Sequence, residues 1–298
     1  MSADVSESPT DPPIHSAIDV SVVTGTLNRL RLLKPSIESV RRNGFSGKLE
    51  VIVVDGGSSD GTVKWLAQQR DIFTIVQPNY KIAGAGNVSR LAHSWGEFMN
   101  IGFRACKGKW VLMISDDLIL SCGCIQKGFE MLERLGEQGD AVGAGAFFFR
   151  DYPRDLRYHV KRLPGGVVLV NHGFFLRAAR KDIQYIDEHS FEFYAADGDV
   201  CMRLARAGYD IAPLDGCLAD HLAHMPNYHR LFGKVAPKGA ADFAAFEQRW
   251  GEPASAGSLV YSDCQPTDQA YRKLWRFAPI QCALSAAFGY YRRFSRLP

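Results

Sequence analysis

The sequence predicts an α/β fold built on a largely parallel sheet. Three observations carry that expectation. Short apolar runs alternate with helical patterns through the first 150 residues. Three of those runs end abruptly in polar residues: Val20–Thr24, Leu49–Val54 and Trp110–Ile114. The last of them stops at an adjacent carboxylate pair, Asp116-Asp117. Strand–helix–strand alternation implies right-handed crossovers between parallel strands. A doubly buried strand cannot hold two adjacent carboxylates in its interior without partners. The pair therefore belongs where the strand leaves the sheet, the edge at which open α/β sheets bind ligands. An acidic N-cap for the next helix would use the same residues.

The chain has 298 residues, 46% hydrophobic and 22% charged, which is ordinary globular composition. A net charge of +3 gives no argument for nucleic acid. Seven cysteines, with no Cys-x-x-Cys pair, point to reduced thiols of a cytosolic protein rather than a disulfide framework or structural zinc. Residues 1–17 are rich in Ser, Pro and Asp with no basic start and no apolar core, and read as a disordered tail rather than a signal peptide. No apolar run is long enough to span a bilayer.

Taken in order, Asp19–Thr24 is the first strand, followed by the polar loop Gly25–Arg29. Lys34–Arg42 reads as a helix with Pro35 near its first turn, stopped by Asn43-Gly44. Leu49–Val54 is a strand ending at Asp55. Gly56-Gly57-Ser58-Ser59-Asp60-Gly61-Thr62 leads into a helix through Val63, Trp65 and Leu66, and a strand follows at Phe73–Val76. Gly84-x-Gly86 has neither a good preceding strand nor the third glycine of a dinucleotide fingerprint, so it is discounted. After the Trp110 strand come a helix over Cys124–Leu135 and a strand over Ala141–Phe149. Gly166–Val170 reads as a strand continuing through Arg177. An aromatic loop at Phe191, Phe193 and Tyr194 leads to Asp197-Gly198-Asp199, a helix over Val200–Ala207 ended by Gly208, and a strand over Ile211–Leu218 before His221.

Asp55 sits at the end of a buried run among glycines that permit close backbone approach. A carboxylate there accepts from a nucleobase N–H or a ribose hydroxyl, or simply caps its own turn. The strand ends at Thr24–Arg29, Asp55–Asp60 and Ser115–Asp117 would converge on one edge, and that convergence describes a nucleotide cleft with a metal at its mouth.

These residues carry a resemblance. Val20-Ser21-Val22-Val23-Thr24 with Asn28-Arg29, then Val53–Thr62, then Ile114-Ser115-Asp116-Asp117, resembles the nucleotide-sugar half of family 2 inverting glycosyltransferases with the GT-A fold. Phe193–Val200 with Arg203-Leu204 and Gly208–Ile211 is similar to that family's acceptor-side carboxylate motif, and His221 falls where the family often has a metal-binding histidine. The resemblance covers roughly residues 19–250. It implies a Rossmann-like mixed sheet flanked by helices, with residues 18–264 as the GT-A domain. Residues 18–120 would form its nucleotide-sugar half and 121–264 its acceptor half. The donor set it implies is Thr24, Asn28, Arg29, Asp55, Gly57, Ser58, Asn100, Ser115 and Asp116. Asp117 and His221 would hold Mg²⁺ or Mn²⁺, Asp197 would be the general base, and His172 and Asp199 would face the acceptor. The implied partners are a nucleotide-diphosphate sugar and a glycan or lipid-linked glycan of surface polysaccharide assembly. Ser115 and Ala196 stand where acidic or amide residues are common in the family, which lowers the acidic count at the site.

Two rival readings share the sheet. A sugar-phosphate nucleotidyltransferase wants a glycine-rich basic loop after the first strand, and none appears. A degenerate glycosyltransferase serving as a binding or scaffold subunit would fit Ser115 and Ala196. A zinc cluster of Cys217, His221, His224 and His229 lacks a nearby second cysteine. Residues 265–298 form a basic, aromatic segment. Its part from Tyr271 onward has no acidic residue, which suits a helix on an anionic membrane surface or one packed on the domain or a second subunit. The expected location is cytoplasmic, and the first of those two readings of the tail would add membrane association through residues 271–298.

Overall fold

The computed structural model describes residues 18–83, 89–152, 155–222 and 239–266. The Gly84–Asn87 stretch, His224, His229, the N-terminal tail and the basic segment 271–298 lie outside the described residues.

The first half is built as its apolar runs dictate. Strand β1 (Val20–Thr26) is followed by α1 (Leu30–Arg41), β2 (Leu49–Asp55), α2 (Thr62–Leu66) and β3 (Ile72–Val76). A small β4–β5 hairpin (Lys81–Ala83, Ser89–Leu91), α3 (Trp95–Ala105) and β6 (Trp110–Met113) complete it. The second half runs through β7 (Leu118–Leu120), α4 (Cys124–Glu137), β8 (Val142–Asp151), β9 (His159–Lys161), β10 (Gly173–Leu176), α5 (Arg177–Asp182) and α6 (Ala196–Arg206). It closes with β11 (Asp210–His221), α7 (Gly239–Trp250) and β12 (Leu259–Tyr261).

The main path of the central sheet is β12-β9-β8-β10-β6-β1-β2-β3, with β11 lying beside both β8 and β7. Its pairing fixes where the site must be. β1, β2, β3 and β6 are mutually parallel. β10 is antiparallel to both β6 and β8, which makes β8 parallel to β6, and β11 is parallel to β8. The carboxyl ends of β1, β2, β6, β8 and β11 therefore share one edge, and β10 begins there. Thr26, Asp55, the Asp116-Asp117 turn, Asp151, Asn171-His172 and His221 all lie along it. The sheet is mixed rather than wholly parallel because β10 enters between β6 and β8 in the opposite sense.

Side-chain alternation sends successive residues of each strand to opposite faces. Val20, Val22, Val51, Val53 and Leu112 pack under Leu33 and Ile37 of α1 and Ile125 and Leu132 of α4. Val23, Ile52, Val111, Met113 and Phe175 face Met99 and Phe103 of α3 and Val200 and Leu204 of α6. Helices thus cover both faces, which is why the central strands read as continuous apolar runs. Gly173 lies at φ +148, and a Cβ there would meet the Gly145 carbonyl oxygen at 2.1 Å, so only glycine lets β10 enter beside β8.

Local reading misplaced two helix starts and expected one strand that does not form. Helix α1 begins at Leu30, not Lys34, and Pro35 is inside it. The cap comes from another loop: the Asp60 carboxylate accepts the Leu30 N–H at 3.0 Å. Gly166–Val170 is not a strand. Gly165 and Gly166 take positive φ in a short 3-10 turn, and only Arg162 and Val168 form a bridge. Helix α6 begins at Ala196 rather than Val200, so Asp197 sits in its first turn. Among the described residues no helix is long and apolar enough to cross a membrane, and the six cysteines are free.

Candidate active site

At the middle of the edge, Asp116 and Asp117 sit 3% and 1% exposed just beyond β6. Two buried carboxylates in sequence need compensation. Arg29, from the β1–α1 loop, supplies it. Its guanidinium lies 3.0 Å from Asp116 Oδ1 and makes a close ion pair with Asp117 Oδ2. The Thr26 hydroxyl donates to Asp116 Oδ2 at 2.7 Å. The two acids end in different states. Burial pushes the Asp116 carboxyl up, and Arg29 only partly offsets it. Burial alone would raise Asp117 too, but the facing His221 and Arg29 charges hold it well below the ordinary carboxylate range.

His221 ends β11, where the register sets it opposite Asp151 at the end of β8. Its Nδ1 is 2.8 Å from Asp151 Oδ1, and its Nε2 is 3.3 Å from Asp117 Oδ1. Burial works against a charge on this ring, yet the two carboxylates prevail and raise its pKa to about 9. His172, just before β10, lies with its ring centroid 5.0 Å from that of His221. Burial, then the His221 charge, lower its pKa to about 3, so it is neutral, and its buried Nδ1 has no hydrogen-bond partner.

The donor set resolves into two groups. Asp55 is fully buried and spends its oxygens on its own turn. Oδ1 accepts the N–H groups of Gly57 at 2.8 Å and Ser58 at 2.7 Å, and Oδ2 accepts the Ser58 hydroxyl at 2.7 Å. Asn28, at φ +55, donates its N–H to Ser58 Oγ at 2.8 Å and accepts the Ser59 N–H at 2.7 Å. The two strand-end loops are thus laced into one rigid rim.

Other predicted members do not reach the cleft as expected. Thr24 is buried inside β1, and Thr26 two residues on takes the edge position. Asn100 lies inside α3 with its amide committed: it donates to the Ile186 carbonyl at 2.8 Å and Glu188 at 2.9 Å and accepts the Ile186 N–H at 3.1 Å. Asp199 is fully buried and accepts from Arg203 at 2.7 Å, Arg249 at 2.9 Å and the Trp250 indole at 3.1 Å. It ties α6 to α7. His172 packs beside His221 in the interior rather than lining an open pocket. Ser115 keeps its place between β6 and the acidic pair, with its hydroxyl buried.

Asp197 is partly buried. Asn171 donates to its Oδ2 at 2.6 Å and the Gly198 N–H to its Oδ1 at 2.9 Å. Burial outweighs these bonds and raises its pKa. Asn171 and His172 are consecutive, so two adjacent residues link Asp197 to His221 and, through it, to Asp117. Asp197 therefore belongs to the same edge. Sequence reading missed Thr26, Asp151 and Asn171. Asp151 was findable by the rule that picked out Asp55 and Asp117, since it too ends an apolar strand.

More than half of the chain, residues 21–194, matches the model for glycosyl transferase family 2. The chain belongs to that family. Two uncharacterised glycosyltransferases from strains of Mycobacterium tuberculosis are 44% identical over 52 residues, 17% of this chain and 20% of theirs. The matched stretch thus spans only a fifth of those relatives. Among solved structures, Staphylococcus aureus TarS in complex with UDP aligns with a TM-score of 0.52 at 16% identity, covering 80% of this chain and 74% of that one. The mannosyltransferase PcManGT of Pyrobaculum calidifontis, in complex with GDP-Man and Mn²⁺, aligns with a TM-score of 0.55 at 18% identity, covering 97% and 80%. At such identities the likeness speaks for the fold, which is of the GT-A type.

Proposed function

We propose that this family 2 member is an inverting glycosyltransferase that moves a sugar from a nucleoside-diphosphate donor to a hydroxyl of a glycan or lipid-linked glycan. The observation that carries the reading is the buried Asp117 Oδ1. It is paired with His221 Nε2 at 3.3 Å, on the edge that also holds Asp197.

That pair suits a divalent ion. Among the described residues no cluster of three or more acidic, His or Cys side chains forms a ready cage. One carboxylate oxygen and one imidazole nitrogen, once the His221 ring gives up its Nε2 proton to the incoming ion, instead match a cation that would take its remaining ligands from phosphate and water. Asp151 on Nδ1 orients the ring so that Nε2 faces Asp117, the usual arrangement behind a metal-bound histidine. Mg²⁺ or Mn²⁺ held by Asp117 and His221 would neutralise charge on the departing diphosphate. The GDP-Man and Mn²⁺ bound to PcManGT and the UDP bound to TarS favour this class of substrate.

The remaining chemistry falls to the chain's own groups. Arg29 is a second cation at the mouth of the cleft. Asp197 takes the acceptor's proton as its oxygen attacks the anomeric carbon, while the sugar–phosphate bond breaks and its electron pair leaves with the diphosphate. A single displacement inverts the anomeric centre. Asn171 and the Gly198 N–H fix the carboxylate's direction, and its raised pKa makes it a stronger base than an exposed aspartate.

A thermal-shift screen of UDP-, GDP- and dTDP-sugars, with and without Mn²⁺, tests the donor half. A donor at 100 times its Kd stabilises by about 2.7 kcal/mol. The Mn²⁺-dependent part of that shift should vanish in Asp117→Ala. A screen in which no nucleotide sugar moves the transition ends the reading and leaves the scaffold alternative.

A further inference from the structure

Four aromatic side chains run in a row along the α3, α6 and α7 side of the active edge. Ring centroids are 6.4 Å apart between Trp95 and Phe193, 5.0 Å between Phe193 and Tyr194, and 5.8 Å between Tyr194 and Phe243, the last pair stacked. Phe193, Tyr194 and Phe243 are each close to half exposed. A lone exposed aromatic needs no explanation, but a contiguous row marks a binding surface.

The backbone beneath the row is held firmly. Asp242, in the first turn of α7 and 4% exposed, accepts three consecutive N–H groups: Glu192 at 2.8 Å, Phe193 at 3.0 Å and Tyr194 at 2.8 Å. The Trp95 N–H donates to the Glu192 carbonyl at 2.8 Å. Ala195 then takes a left-handed φ of +59, which turns the chain into α6 and places Asp197 in its first turn. Rigid backbone with rings left to solvent is the pattern of a preformed recognition surface.

The row also has the right ends. At Trp95 it adjoins the donor rim, because the preceding residues are bonded to it: the His93 N–H donates to Asn79 Oδ1 at 3.1 Å, and the Asn79 N–H to the Gly56 carbonyl at 2.8 Å. At Tyr194 it is three residues from Asp197. We propose that Phe193, Tyr194 and Phe243 form a shelf on which a pyranose ring of the acceptor stacks its C–H face while turning a hydroxyl to Asp197. This rests on Asp197 being the base. A sugar is favoured over a lipid tail or an apolar peptide because the neighbouring carboxylate needs a hydroxyl. A pyranose offers an apolar face and a hydroxyl edge in one ring.

Saturation-transfer NMR on the full chain, with methyl pyranosides of glucose, galactose, mannose, N-acetylglucosamine and rhamnose, tests the shelf. Ring C–H protons of at least one glycoside should receive saturation from wild type. Affinity should fall about 10-fold in Tyr194→Ala and in Phe243→Ala, as expected for loss of one aromatic stacking partner. It should survive in Tyr194→Phe, where the ring remains. The donor thermal shift, followed in parallel, should persist in every variant and so reports folding. The shelf is overturned if no glycoside is saturated, if both alanine variants bind as wild type does, or if only a long-chain alkyl glycoside binds and does so through its tail. A wild type that binds glycosides but no nucleotide sugar would instead overturn the transferase reading, and with it the acceptor role of the shelf, leaving a sugar-binding face alone.

Discussion

Asp197 and Asp199 are two residues apart in one helix and do opposite work. Asp197 is partly exposed and held by one amide and one N–H, which leaves it room to take a proton. Asp199 is fully enclosed by Arg203, Arg249 and Trp250. Replacing Asp197 by Asn keeps the shape and removes the proposed base. Transfer should fall by about 10²–10⁴-fold, with donor affinity retained. The pH profile gives a second check. Only the ionised carboxylate accepts a proton, and burial raises its pKa from the ordinary aspartate value by disfavouring the charge. Activity in wild type should therefore decline as pH falls through that raised value, and not begin its decline only near the pKa of a free aspartate. A profile flat down to the ordinary carboxylate range would mean that another group takes the proton.

At the scale of elements, α6 and α7 are joined through the Asp199 carboxylate. Arg249 extends the join to Asp187 at 2.8 Å and Ser190 at 2.8 Å. Asp199→Ala would leave Arg203 and Arg249 facing an empty buried acceptor position. Breaking one member of a buried ion cluster costs about 3–5 kcal/mol. Urea unfolding should show that loss, while acceptor KM in the surviving folded enzyme stays near wild type. A raised KM without lost stability would restore Asp199 to the acceptor site. The same cluster shows what sequence could and could not reveal. Strands β1, β2 and β6 were legible because burial on both faces leaves unbroken apolar runs, and their polar ends exposed the active edge. The start of α1 was not, because its cap is the distant Asp60. Nor was the enclosure of Asp199, since nothing near it in sequence announces Arg249 or Trp250 of α7. Thr24 and Asn100 were misjudged for a related reason: residue type suggested a polar contact, but only tertiary placement says which partner takes it.

For the molecule as a whole, no structural boundary falls at residues 120/121 among the described residues. The sheet runs unbroken from β3 of the proposed donor half through β6 and β10 to β8 of the proposed acceptor half. Helix α3 strengthens that seam. Asn100 lies on the donor side in sequence, yet all three of its amide bonds reach the segment Ile186–Glu188. Gly96 packs so closely there that a Cβ would meet Ile186 Cγ2 at 2.7 Å. Asn100→Ala would leave a buried carbonyl and N–H of Ile186 unsatisfied, at about 1–3 kcal/mol for each group. Were the halves independent, such a change would split unfolding into two steps, with the donor half keeping its original midpoint. A continuous sheet predicts one cooperative transition moved to lower temperature as a unit. A saturating nucleotide sugar should raise it again without separating it, because ligand bound at the shared edge stabilises every strand that must open with it. Differential scanning calorimetry with and without donor reads this directly, and a second peak in the variant would show that the two halves fold apart.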